Sequence, residues 1–317
     1  MAAQESHPFV PKTATPAFIV PFVKTMYRVP YPAISPLRPE LSQAGKNVMV
    51  TGGGAGIGFA ISRAFVRAKA SRIIITGRRE NMLMEALATL NTLAAEHSPD
   101  TVITYSVSDF ASLEDTERLW TKLKADGIFV DVLVLNAAVA GPIGTLLQSG
   151  VRAIWETFEV NVRGLLDYTE WFSKQEWDKQ KYIVNLSTSA AHAFDLDVPH
   201  IAAYGITKNA GTLVMQRIAQ DVDPKKIQII NYHPGGILTH AARSVGLDES
   251  SGEWDDENLP GHWAVWGATD EAKFLHGRYV CAWWDVDELK NGEAAKRIEK
   301  EFNFLRVGIV GLTQYES

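Results

Sequence analysis

One glycine-rich stretch limits the folds open to this chain more than any other feature of its sequence. The apolar run 48–50 indicates a short buried strand, and it leads into a turn with five glycines among residues 52–58. After the turn, apolar residues recur at helical spacing from Ile57 to Ala68. Free backbone N–H groups and the positive dipole end at the start of such a helix attract an anion. Strand, turn and helix together predict a nucleotide-binding site, and a glycine-rich surface loop is the alternative for the turn alone.

Strand-like and helical patterns alternate from residue 47 to about residue 233. Continuous apolar strands such as 73–75 are typical of a parallel sheet that helices cover on both faces. We therefore predict an α/β fold, a doubly wound parallel sheet (Rossmann fold) in a single domain, with ligands at the carboxyl ends of the strands. The predicted strands are 48–51, 72–76, 102–106, 132–136, 182–187, 227–233 and 277–284, and the predicted helices are 57–68, 80–96, 113–124, 154–177 and 203–222.

The two ends of the chain differ from this central domain, which we expect to span residues 46–284. Residues 1–45 hold 8 of the 14 prolines, a density that forbids regular helix and predicts an extended arm. Because the arm is rich in apolar residues, we expect it to lie along its own subunit or a partner subunit, with a disordered leader as the alternative. Residues 285–317 predict a C-terminal helical extension.

The overall composition excludes several classes of protein. A net charge of −6 and a pI near 5.8 give no support for binding to nucleic acid or to an acidic membrane surface. Cys281 is the only cysteine, which excludes an internal disulfide and a cysteine-cluster metal site and fits a reducing compartment. We find no apolar run long enough to span a membrane and no signal peptide, so we expect a cytoplasmic protein.

Two arginines follow the second predicted strand, Arg78 and Arg79, and Arg78 lies twenty residues after Gly58. Dinucleotide-binding folds contact the adenosine ribose at this position. An acidic residue there accepts a hydrogen bond from the 2′-hydroxyl, whereas an arginine favours a 2′-phosphate. We therefore predict NADP(H) rather than NAD(H). Two solvated arginines at the start of a helix are the alternative.

Six motifs, taken in order, resemble those of the short-chain dehydrogenase/reductase family, in the extended form common among fungal members. They are Thr51-Gly52-x-x-x-Gly56-Ile57-Gly58, Asn136-Ala137-Ala138, Asn161, the cluster 187–189, Tyr204-x-x-x-Lys208 and Pro234-Gly235-Gly236-Ile237-Leu238-Thr239. The resemblance implies a small-molecule substrate, a homodimer or homotetramer, and no metal. It implies that the catalytic residues are Tyr204, Lys208, Thr188 and Asn161. It further implies cofactor contacts from Gly52, Gly56, Ile57, Gly58, Arg78, Asp109, Asn136, Arg163, Tyr204, Lys208, Ile237 and Thr239.

Tyr204 and Lys208 are four residues apart in a predicted helix, so their side chains share a face. A free tyrosine titrates near ~10, and a neighbouring ammonium group favours the phenolate. We expect a lowered pKa at Tyr204 and proton exchange with an alcohol or carbonyl oxygen while hydride moves to or from the nicotinamide. A Tyr/Lys pair on a helix surface is the structural alternative.

For three further parts of the predicted site, the sequence is consistent with more than one assignment. Counted from Asn185, the family's serine falls on Thr188, but a longer gap before Tyr204, through 194–199, leaves Ser187 and Ser189 as candidates. The family places Asn161 in a water relay from the lysine, and a purely structural bridge is the alternative. Residues 240–270 stand where the family keeps a substrate-covering segment. Core packing or a subunit interface is an equal alternative for this segment. Its aromatic and imidazole side chains are His240, Trp254, His262, Trp263 and Trp266.

Several positions depart from the family pattern. The acid near the adenine falls on Ser106, with Asp109 three residues later, and Leu135 and Ala138 replace an asparagine and a glycine. Ala55 lacks the basic side chain of many NADP-preferring members. The sequence thus predicts an NADP(H)-dependent oxidoreductase acting on a ketone or secondary alcohol of a bulky, partly apolar molecule. The alternatives are an epimerase, dehydratase or cyclase on the same fold, and a non-catalytic NADP-binding protein.

Overall fold

Seven parallel strands form one sheet in the spatial order β3-β2-β1-β4-β5-β6-β7. The computed structural model describes residues 20–176, 178–192, 201–244 and 246–309. The strands are β1 (Asn47–Thr51), β2 (Arg72–Gly77), β3 (Val102–Val107), β4 (Val132–Leu135), β5 (Lys181–Leu186), β6 (Ile227–His233) and β7 (Tyr279–Cys281). The helices are α1 (Gly56–Arg67), α2 (Glu80–His97), α3 (Leu113–Ala125), α4 (Leu146–Ser149), α5 (Val151–Phe158), α6 (Leu165–Ser173), α7 (Ala202–Asp221), α8 (His240–Ser244), α9 (Leu259–Gly267), α10 (Val286–Asn291) and α11 (Glu293–Lys300).

Helices cover both faces of the sheet and divide the core into two layers. Successive side chains of a strand point to opposite faces, so Val48 and Val50 of β1 enter one layer and Met49 enters the other. The first layer also contains Phe65 of α1, and the second contains Leu165 of α6. The prediction of a doubly wound α/β domain is confirmed.

The observed ends of the first six strands lie within one residue of the predicted ends. The last strand is shorter than the predicted 277–284, because Gly277 has a φ of +69° and Trp284 N donates in a turn to Cys281 O. The predicted helix 154–177 is also wrong as a single element: α5 begins at Val151, a π-helical turn follows at Glu159–Gly164, and α6 ends at Ser173. Trp177, at the predicted end, lies outside the described residues.

The described part of the N-terminal arm packs onto the domain. Val23 and Tyr31 are buried, and the Tyr31 hydroxyl donates to Trp284 O at 2.8 Å. Met26 forms an antiparallel bridge with Trp284. Prolines begin two short 3-10 turns, at Pro32–Ile34 and Pro39–Leu41. The arm residues 1–19, with three of its prolines, lie outside the described residues.

The buried side chain of Arg278 holds the C-terminal extension through hydrogen bonds. The Arg278 guanidinium donates to the carbonyl oxygens of Phe302 at 2.7 Å and Ile298 at 3.2 Å, and also to that of Phe304. Burial lowers the pKa of Arg278 to about 10. Because a guanidinium is a planar set of donors, one side chain can hold the segment that follows α11.

Candidate active site

A cavity of about 1130 Å³ opens at the carboxyl ends of the strands. Its wall contains the glycine turn, residues that follow β2 to β7, and residues 26–28 of the N-terminal arm. Small-ligand sites commonly measure about 300–1,000 Å³. The cavity therefore has room for a nucleotide and a second molecule, and it lies where the fold class predicts a ligand.

The glycine turn forms one end of this cavity. Gly52 and Gly56 have φ values of +66° and +51°, which side chains other than glycine rarely adopt. A Cβ atom on Gly58 would lie 2.3 Å from Gly52 O and 2.5 Å from Asn136 Nδ2. Asn136 Nδ2 in turn donates to Thr51 O at 2.8 Å, so this amide ties the ends of β1 and β4 together.

The start of α1 suits an anionic ligand. No side chain caps this helix at Ala55, and Gly56, Ile57 and Gly58 all line the cavity. The N–H groups of the first turn are thus open to a pyrophosphate, and no Cβ at Gly56 stands in the way. The predicted cofactor contacts of this turn lie together at one cavity wall.

Arg78 and Arg79 line the same cavity at the end of β2, and both side chains are exposed. Neither forms an ion pair with any residue in the described part of the chain. Ser108 and Asp109 face the cavity from the end of β3, whereas Ser106 is not in its lining. Asp109 Oδ1 also accepts a hydrogen bond from Ala111 N at 3.0 Å, which fixes its orientation. This end of the cavity therefore carries two available positive charges.

Tyr204 lines the cavity near the start of α7, and Lys208 lies one turn further along. Lys208 Nζ lies 5.9 Å from the centre of the Tyr204 ring and donates to Leu186 O at 2.8 Å. Burial raises the pKa of Tyr204 to about 12 and lowers the pKa of Lys208 to about 8. The expected lowering of the Tyr204 pKa is wrong for the environment that the protein supplies, because burial disfavours the charged phenolate and raises the pKa.

The three hydroxyl candidates after β5 take different positions. Ser187 is buried and its hydroxyl lies 2.6 Å from the hydroxyl of Thr212, so it is not in the cavity wall. Thr188 and Ser189 both line the cavity, because the strand ends at Leu186 and the chain turns there. The segment 194–199, which lengthens the gap before Tyr204, lies outside the described residues.

Asn161 is buried in the π-helical turn and is absent from the cavity wall. Its Nδ2 atom donates to Val139 O and to Thr207 Oγ1, both at 2.9 Å, and its Oδ1 atom accepts from Val139 N at 2.9 Å. Thr207 Oγ1 donates to Tyr204 O, also at 2.9 Å. The amide thus connects the chain after β4 to the helix that carries Tyr204, as the structural alternative requires.

Arg163, one of the predicted cofactor contacts, is held by other residues away from the cavity. It does not line the cavity: its guanidinium contacts the Glu159 carboxylate and the carbonyl oxygen of Ala111. The π-helical turn directs this side chain towards the loop before α3. Ile237 and Thr239, two other predicted cofactor contacts, do line the cavity. Thr239 lies close to the glycine turn, since a Cβ on Gly56 would be 3.6 Å from Thr239 Cγ2.

The segment 240–270, predicted to cover the substrate with core packing or an interface as equal alternatives, divides into two parts. His240 and Trp254 line the cavity, and Trp254 Nε1 donates to Asp248 O at 2.8 Å. Trp263 and Trp266 of α9 are fully buried in the core. Helix α9 is apolar on every side, so it packs inside the protein rather than over a cleft. His262 is not in the cavity wall either.

Sequence patterns missed the part of the wall that the N-terminal arm supplies. Met26, Tyr27 and Arg28 line the cavity. Tyr27 N donates to Trp283 O at 2.8 Å, and Arg28 pairs with Glu253 at 3.0 Å and Asp255 at 3.7 Å. These contacts join residues more than two hundred positions apart, so no local pattern predicts them. His233, which also lines the cavity, stands directly before the Pro234 motif and could have been found there.

The described ranges contain neither a candidate metal centre nor a candidate membrane span. No group of histidine, cysteine and acidic side chains in those ranges could hold a metal ion. No helix in the same ranges has the length and apolar character needed to cross a bilayer.

Comparisons with known proteins give consistent results. Residues 46–250 match the family model described as short chain dehydrogenase. The chain is 35% identical over 269 residues to the short chain dehydrogenase/reductase AacuD of Aspergillus aculeatus, covering 84% of this chain and 89% of that protein. The Pseudomonas aeruginosa RhlG/NADP active-site complex has a TM-score of 0.68 at 19% identity, over 77% of this chain and 97% of that one. A 7α-hydroxysteroid dehydrogenase complexed with NADH and 7-oxo glycochenodeoxycholic acid has a TM-score of 0.67 at 20% identity, over 83% of this chain and 98% of that one.

Proposed function

Because the chain belongs to the short-chain dehydrogenase/reductase family of oxidoreductases, we propose that it reduces a ketone with NADPH and that Tyr204 donates the proton. One observation carries this proposal: Tyr204 stands in the same cavity as the start of α1 and the exposed arginines Arg78 and Arg79. When bound, the cofactor supplies hydride from C4 of its nicotinamide ring.

The residues of the chain have separate tasks in this proposal. The N–H groups at Gly56–Gly58 bind the pyrophosphate, Arg78 binds the 2′-phosphate, and Ile237 and Thr239 contact the nicotinamide end. Thr188 orients the carbonyl oxygen of the substrate by donating a hydrogen bond from its hydroxyl group. Ser189 is the neighbouring candidate for this role. Tyr204 gives its proton to the same oxygen as the carbonyl becomes an alcohol. Asn161 is a positioning residue, because its contacts reach Tyr204 only through Thr207.

The pKa of Tyr204 suits the role of proton donor in the reduction. With a pKa of about 12, the phenol keeps its proton at neutral pH and is ready to donate it. Lys208, with a pKa of about 8, is still largely protonated at pH 7 and can stabilise the phenolate that remains.

A panel of ketones tests the proposed activity directly. We expect the absorbance of NADPH to fall when the full chain is mixed with bulky, partly apolar ketones. Tight NADPH binding without oxidation on any ketone would favour the alternatives, an epimerase, dehydratase or cyclase, or a non-catalytic NADP-binding protein.

Arg78→Glu is expected to reverse the cofactor preference. The change removes a charged hydrogen bond to the 2′-phosphate and adds repulsion, so the ratio of kcat/KM for NADPH over NADH should fall about a hundredfold. Initial rates with each cofactor measure this ratio. Lys124→Glu is the matched control, since it makes the same charge change at an exposed site outside the cavity lining. An unchanged ratio in Arg78→Glu would contradict the NADP(H) assignment.

The proposal includes a homodimer or homotetramer in the cytosol. Val151 and Trp155 are exposed apolar side chains four residues apart on α5, and Leu147 of the neighbouring α4 is also exposed. Exposed apolar side chains close together are typical of a surface that a second subunit covers. Light scattering should report at least twice the chain mass of 35.0 kDa.

A further inference from the structure

Two nitrogen-bearing rings in the cavity wall are not used by the proposed chemistry. His233 is the last residue of β6 and Trp283 follows β7, and both line the cavity. They are 8% and 7% exposed, respectively. Their rings meet edge to face, with centres 4.7 Å apart. The two side chains therefore form one continuous patch of wall.

Each ring has a polar atom without a protein partner. His233 Nδ1 and Trp283 Nε1 are buried and form no hydrogen bond with any described residue. Buried polar atoms are almost always paired, and an exception needs an explanation. A neutral imidazole can accept a hydrogen bond, and an indole can only donate one. A ligand that satisfies both must donate and accept through the same group, as a hydroxyl does.

The sheet register locates this patch relative to the reacting carbonyl. Leu186 of β5 pairs with Tyr232 of β6, and His233 of β6 pairs with Cys281 of β7. Because neighbouring strands are about 5 Å apart, His233 lies one strand away from Thr188 and Trp283 lies two strands away. A group bound by both rings therefore lies on the order of 5–10 Å from the oxygen that Thr188 holds.

The charges around the patch favour a neutral ligand. Arg28, on the same cavity wall, is paired with Glu253 and Asp255. Burial lowers the pKa of His233 to about 3, so the imidazole is uncharged at neutral pH. A carboxylate or phosphate on the substrate would find no counter-charge in these groups.

We propose that the substrate is a neutral, largely apolar ketone with a second oxygen, a hydroxyl, about 5–10 Å from the reacting carbonyl, and that His233 and Trp283 bind this hydroxyl. The hydroxyl donates to His233 Nδ1 and accepts from Trp283 Nε1. This inference rests on the proposed function, because the reacting carbonyl is the reference point.

A pair of matched probes tests the inference on the full chain. 4′-Hydroxyacetophenone and 4′-methylacetophenone have nearly the same size and differ in the polar group. We expect the wild-type ratio of kcat/KM, hydroxy over methyl, to fall about 3- to 10-fold in Trp283→Phe and in His233→Phe. Comparing ratios between proteins cancels the electronic effect of the substituent. Trp120→Phe is the matched control, because Trp120 Nε1 is also buried and unpartnered but lies outside the cavity wall.

Calorimetric binding of the same two probes in the presence of NADP⁺ gives the same ratio without turnover. NADPH affinity close to that of the wild type shows that the variants are folded. A hydroxyl preference in binding without any turnover would overturn the proposed reduction and support the hydroxyl site. Equal ratios in wild type and both variants, or no binding of either probe, would overturn the hydroxyl site.

Discussion

Tyr204→Phe is expected to lower kcat for ketone reduction about a thousandfold, within the range that a general acid contributes. The phenylalanine ring preserves the shape of the cavity wall and removes only the hydroxyl that gives its proton to the carbonyl oxygen. NADPH affinity, measured by fluorescence titration, should change far less than kcat, because the glycine turn and Arg78 stay intact.

Tyr182→Phe is the matched control for this variant. The Tyr182 hydroxyl hydrogen-bonds Asp270 Oδ1 at 3.2 Å and is not in the cavity wall. Removing it deletes a phenol hydroxyl from the same domain without touching the site, so turnover should persist. If Tyr204→Phe kept wild-type kcat, the proton would have to come from another group and the proposed role of Tyr204 would be lost.

Gly58→Ala is expected to weaken NADPH binding roughly a hundredfold, because hydrogen bonds to a charged group such as the pyrophosphate contribute about 1.5–3 kcal/mol each and a shifted helix start would lose them. The new methyl group would lie 2.3 Å from a backbone oxygen, that of Gly52, and backbone has little freedom to move aside. Helix α1 must shift away from β1, which also breaks the contacts of Asn136. We expect the free energy of unfolding to fall by about 3 kcal/mol.

Gly77→Ala separates this steric effect from the general effect of adding a methyl group. A Cβ on Gly77 would meet only Leu83 side-chain atoms, at 3.5 Å and beyond, although Gly77 also lines the cavity. Its NADPH affinity should stay near that of the wild type. Equal binding by Gly58→Ala and Gly77→Ala in a fluorescence titration would contradict the proposed cradle.

The parts of the site that sequence predicts are those in which a polar residue stands within two residues of the end of an apolar strand. Asn136 directly follows β4 and Thr188 follows β5 by two residues, and the parallel sheet brings these ends to one edge. The seven-stranded sheet follows for the same reason, since apolar runs of strand length alternate with amphipathic helices.

What sequence does not predict depends on distant contacts or on the balance of opposing forces. Arg163 stands beside Asn161 in the chain, yet the π-helical turn directs it to Glu159 and Ala111. The sequence places Trp263 in the predicted substrate-covering segment, whereas the structure buries it in α9. The pKa of Tyr204 is raised by the burial of its side chain in the folded protein, which the four-residue spacing from Lys208 does not reveal.

The attachment of residues 26–28 beside the end of β7 has a consequence for how this cavity wall can be altered. These residues precede the stretch 46–250 that matches the family model, yet they line the cavity. Substitutions at Met26, Tyr27 and Arg28 can therefore alter this wall of the cavity without changing the glycine turn or Arg78.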